Sequence, residues 1–228
     1  MAEARLSNPL ALAVLVLLFE RPMHPYEMST TLRYRRKEDS IKLNYGSLYS
    51  VVASLEKSGL IEVKESVREG NRPERTVYQL TPAGETKATA WLSELLSTPV
   101  KEYTRFEAAL SLIGAIDPDD AIRQLELRLG SLILQQRADD GIRSAVPAGF
   151  PRIFMIESEY QRALLDAEVQ FVRNLITDLK SENLTGVKQW RRMHELRSAG
   201  VPADEIFAEL TAMTAGSTDW LEDPTTRS

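Results

Sequence analysis

Apolar positions change their period along the chain, and the changes mark out its elements. Pro9 to Phe19, PLALAVLVLLF, is apolar almost throughout. Eleven residues are too few to cross a bilayer, so the run predicts a helix buried on most sides of a small domain. From His24 to Arg35, Tyr26, Met28 and Leu32 recur at helical spacing. Between Asn44 and Gly59, Leu48, Val51, Val52 and Leu55 share one helix face; Asn44 or Ser47 can cap it and Gly59 can stop it. The period then drops to two. Ile61, Val63 and Glu65 alternate with Glu62, Lys64 and Ser66, and Thr76 to Leu80 alternates again behind Gly70, Asn71 and Pro73. That predicts a β-hairpin with a long tip.

Past Thr81 the pattern is helical to the end. Thr81-Pro82 opens a helix carrying Ala90, Trp91, Leu95 and Leu96, and Thr98-Pro99 closes it. A short helix is expected over 104–116. Asp117-Pro118-Asp119-Asp120 then opens a longer one with Ile122, Leu125, Leu129, Leu132 and Ile133 on a stripe, interrupted over 141–151. The longest is expected over 152–182, with Ile153, Ile156, Tyr160, Leu164, Ala167, Phe171, Leu175 and Leu179 near a 3.6-residue period. Two shorter helical patterns, 186–199 and 202–213, precede a polar end. Two long antiparallel amphipathic helices cannot close a core against a small head alone, so the same helices of a second subunit are the expected partner. Leu125, Leu129, Tyr160, Leu164, Phe171 and Leu175 are the expected dimer interface. The alternative is an intramolecular bundle.

A short helix feeding a charged hairpin behind a compact helical lead-in has the shape of a winged helix that reads DNA. The expected fold is mostly α with a small β-hairpin: an N-terminal winged helix-turn-helix over 1–85, a helical C-terminal dimerisation domain over 86–182, and a helical tail of uncertain role over 183–228. Tyr49 and Ser47 are expected at the groove, Lys42, Asn44 and Lys57 at phosphates, and Arg68, Arg72 and Arg75 on the wing, where arginine binds phosphate bidentately. Tyr26 is placed to brace the second helix or reach the backbone. For Tyr49 packing against the first helix stands as an equal reading. The wing arginines taken alone, with Glu69 and Glu74 nearby, would read as a solvated hairpin; the helix before them changes that.

The net charge of −5 is adverse to DNA, but it is unevenly spread. Residues 1–80 carry twelve Lys and Arg against ten Asp and Glu; the remainder carries sixteen against twenty-three. Locally basic surface decides phosphate binding. With no cysteine, disulfides, thiol nucleophiles and Cys-ligated metals are excluded. His24 and His194, the two histidines, stand far apart with no ligand pattern around them, and no nucleophile-base set or phosphate-binding glycine loop is recognisable. No enzyme activity, metal or cofactor is expected, and without a leader or membrane span a cytoplasmic address is.

These residues resemble the PadR-like transcriptional regulators. The landmarks are the apolar first helix ending before Arg21-Pro22, the HPYEM run His24 to Met28, GSLYSVVASLEKSGLI from Gly46 to Ile61, and YQLTPAG from Tyr78 to Gly84. They cover roughly the first 85 residues, and their order and spacing carry the match. Ser50 departs from the proline frequent in the family. The resemblance implies a homodimer on double-stranded DNA, with an inverted repeat of half-sites like ATGT and ACAT near its own promoter, and repression. It further implies relief by a small aromatic or amphipathic effector near the dimer interface. Trp91, Tyr103, Phe106, Phe150, Phe154 and Tyr160 are candidates to line such a site, against the plainer reading that they are core. A protein-binding winged-helix adaptor that never touches DNA is the alternative function.

Overall fold

The computed structural model describes residues 8–67 and 75–213, in two compact units, Met1–Glu102 and Tyr103–Ser228. In the first, α1 (Pro9–Glu20) begins where the Asn8 side chain accepts a hydrogen bond from Leu10 N at 3.0 Å, with proline in the first turn. Leu10, Val14 and Leu15 are fully buried, as an apolar run without a polar face requires. Around α1 pack α3 (Tyr45–Lys57), the strand β2 (Arg75–Leu80) and α4 (Pro82–Ser97), while α2 (Pro25–Tyr34) packs on α3. His24 caps α2: its Nδ1 accepts from Tyr26 N at 3.0 Å. One of the two histidines is thereby given a structural task.

β2 pairs antiparallel with β1 (Ile61–Val67) in the register Ile61↔Leu80 to Val67↔Arg75, with a bulge at Lys64 between Val63 and Glu65. Met23 bridges to Tyr78 on the other side of β2, exchanging hydrogen bonds of 3.1 and 3.0 Å. The hairpin's base is locked to α4 through Thr81. Its hydroxyl donates to Gly59 O at 2.8 Å and accepts from Gly84 N at 3.0 Å. Of the α4 residues expected on one stripe, Trp91 alone enters the core; Ala90, Leu95 and Leu96 are exposed. α1 offers α4 a narrow seam, so Gly84, Ala88 and Trp91 are its buried face. α4 therefore lies whole in the first unit, past the boundary drawn at 85.

The second unit is a helical assembly. α5 (Arg105–Ser111), capped by Thr104, passes through a 3-10 turn, Ile113–Ala115, into α6 (Pro118–Ser144), capped by Asp117. α6 continues through Gly141 rather than breaking there; an exposed helical glycine costs only about 1 kcal/mol. The segment Arg152–Phe154 is a separate 3-10 turn, and α7 spans Ile156–Lys180. α6 and α7 run antiparallel: Lys180 pairs with Glu126 at 2.5 Å, Gln136 donates to Asp166 at 2.6 Å, and Arg162 binds Asp139, Asp140 and Asp166. α8 (Val187–Ser198) packs on α6 and α9 (Ala203–Met213) on α8.

The stripe that closes this core differs from the expected one. α7 turns Leu165, Val169, Val172, Ile176 and Leu179 toward Ile122, Leu125, Leu129 and Leu132 of α6. Leu125, expected between subunits, is instead 6 % exposed inside this core, and Leu129 and Leu175 are half-buried against it. Tyr160, Leu164 and Phe171 remain exposed on a neighbouring face.

Candidate nucleic-acid interface

α3 begins at Asn44, whose Oδ1 accepts from Ser47 N at 2.6 Å. Leu48, Val52 and Leu55 are buried against α1 and α2. Three inward positions at spacings of four and three force the intervening ones outward. Tyr49 is 48 % exposed, and Ser50, Ala53, Ser54 and Lys57 are exposed with it. Of the two readings of Tyr49, the exposed one fits. Ser50 turns its hydroxyl back to Gly46 O at 2.9 Å, which occupies its donor on the helix itself.

Lys42 and Asn44 are exposed in the lead-in, and Ser47 is half-buried in the first turn. These three and Tyr49 are therefore gathered at the N-terminal end of α3, where free amides favour an anion. Lys57 is not among them: ten residues on from Ser47, it lies roughly 15 Å along the axis, beside the turn into β1. Tyr26 is exposed in the first turn of α2. Arg68 and Arg72 fall outside the described residues, and Arg75 is placed by its backbone opposite Val67. Lys64, exposed at the bulge, is a further cation on the hairpin, which alternation placed on the polar face but which was not among the expected DNA contacts.

Ion pairs remove some of the unit's cations from consideration. Arg35 holds Glu20 through two hydrogen bonds, and this contact keeps the Glu20 carboxyl below its ordinary range. Arg21 binds Glu27 and Arg36 binds Asp39. The Tyr78 phenol, behind the hairpin, is pushed up by burial and then by the charge of Glu56. Among the described residues no group of three or more His, Asp or Glu could hold a metal ion, and no helix is long and apolar enough to cross a membrane.

A helix pair presenting its second member beside a β-hairpin, with a flanking helix closing the core, defines a winged helix-turn-helix. Residues 14–90, which span most of the first unit, match the model of the transcriptional regulator PadR-like family. No curated protein matches the chain. Among solved structures, Bacillus subtilis PadR in complex with operator DNA is similar at a TM-score of 0.52 and 17% identity, covering 76% of this chain and 96% of its own. The PadR-like regulator BC1756 of Bacillus cereus gives 0.53 and 15%, covering 76% and 99%. Bacillus subtilis PadR in complex with p-coumaric acid gives 0.51 and 16%, covering 75% and 95%. At these identities the likeness is one of fold.

Proposed function

We propose that the protein is a dimeric repressor that binds an inverted-repeat operator through α3 and the hairpin and is released by a small effector. The observation that carries the DNA reading is the division of α3: three buried leucine and valine side chains hold it to the core while its polar face, led by Lys42, Asn44 and Tyr49, is left outward. The operator complex of the Bacillus subtilis relative supports the same use of the fold. In a symmetric dimer two such helices meet successive major-groove faces roughly 34 Å apart. The dimer is supported by the second apolar face of α7, where Tyr160, Leu164 and Phe171 are at least half exposed although the core is already closed by other residues. The effector is supported by the p-coumaric acid complex of a relative.

The test is fluorescence anisotropy of the purified protein on DNA from immediately upstream of its own gene, with a scrambled fragment as control. Selective, salt-sensitive binding is expected. Equal affinity for both fragments would remove the operator reading, and no binding to either at low salt would favour a protein-binding adaptor.

A further inference from the structure

The corner between α5 and α6 forms a cavity of about 340 Å³, open to solvent on one side. Phe106 and Leu110 of α5, Ile113 of the 3-10 turn and Leu125 of α6 form its apolar walls, and its polar groups are Gln124 and Arg128. The volume lies in the range of small-ligand sites, as does the pairing of apolar walls with a few polar groups. Arg128 sits with its guanidinium carbon 3.7 Å from the centre of the Phe106 ring, and its Nε donates to Glu168 at 2.6 Å. Its charge is therefore already balanced. An anionic ligand would have to compete with Glu168, whereas a neutral ring meets matching walls and the exposed Gln124 carboxamide can take one hydrogen bond.

The wall is held from outside by α8. Trp190 Nε1 donates to Ile116 O at 2.9 Å, His194 Nε2 donates to Gly114 O at 2.9 Å, and Arg191 pairs with Asp119 at 2.9 Å. Two side chains of one helix, Trp190 and His194, thus clamp the turn that closes the cavity, while Arg191 binds the first turn of α6 just beyond it, and Ile116 belongs to the lining. Displacing this turn would be felt in α8.

We propose that the α5–α6 cavity binds a small neutral ring compound carrying one hydrogen-bonding group, with α8 as the clamp that responds to its filling. As the seat of an effector this rests on the release reading above; as a binding site it does not. The test is isothermal titration calorimetry of the full chain with 2-naphthol and, for charge, 2-naphthoate. One 2-naphthol per chain is expected, with 2-naphthoate weaker by roughly tenfold or more, the scale on which a mismatched group discriminates. Ala109→Phe fills the cavity from its exposed rim and should weaken 2-naphthol by a similar factor without lowering the unfolding temperature; Gln124→Ala should weaken it less.

No saturable binding at millimolar 2-naphthol overturns the site, as does equal binding by Ala109→Phe. Tighter binding of 2-naphthoate overturns the neutral class. Binding by a monomeric variant alone would assign the cavity to a second copy and overturn the proposal too. If 2-naphthol binds as expected and operator affinity is unchanged at saturation, the site stands and the effector-release reading falls.

Discussion

Gly84 is the position where one atom decides most. A Cβ built there would lie 2.0 Å from the carbonyl oxygen of Leu60 and 2.9 Å from Leu80 Cδ1. The first of these is backbone, held by hydrogen bonds from Thr81, and cannot swing aside. Gly84→Ala should destabilise the first unit by about 3 kcal/mol, the upper end of ordinary overpacking. That corresponds to a fall of roughly 15 °C in its thermal midpoint, read by circular dichroism; an unchanged midpoint would mean that α4 is not pressed on the hairpin base. The glycine was visible in the YQLTPAG run, but its reason was not, since close approach joins residues 24 positions apart. His24 is similar. Its helical neighbourhood was legible, whereas its use as a cap needed the ring nitrogen placed over Tyr26 N.

At the scale of elements, α7 carries two apolar stripes about 130° apart around the helix. Leu165, Val169, Val172 and Ile176 pack on α6, and Ile156, Tyr160, Leu164 and Phe171 are open. Periodicity found the second stripe and assigned it the whole burial, because both repeat near 3.6 and their edges merge at Leu175 and Leu179. Which stripe meets α6 is set by how the apolar faces of the two helices pack together, which a period does not contain. The open stripe gives the proposed dimer its test. Leu164→Asp, with no role in the internal core, should weaken dimerisation at least about tenfold through the cost of burying a charge, seen by analytical ultracentrifugation, and leave helix content intact. A dimer that persists would place the interface elsewhere. Phe171 is the poorer probe, since its ring also meets Phe106 edge-on at 6.4 Å.

Over the whole molecule, charge is divided: a slightly basic head and an acidic remainder. In the proposed operator complex phosphate contacts should then be few and each measurable. Lys42→Ala should reduce the slope of log affinity against log salt by roughly two, because each contact of a dimer occurs twice and each is worth about 0.9. A parallel drop in affinity with the slope unchanged would take Lys42 off the phosphates. The sequence by itself determined the order of the elements, the winged-helix head and the outward face of α3. Each of these follows from local periodicity, caps and turn residues, which act over a few neighbours. Tertiary structure decided that Leu125 belongs to the internal core, that α4 closes the first unit, and that α8 clamps the α5–α6 cavity. Those are contacts between residues tens of positions apart, and the energy that selects them comes from packing and pairing between surfaces that the chain brings together only on folding.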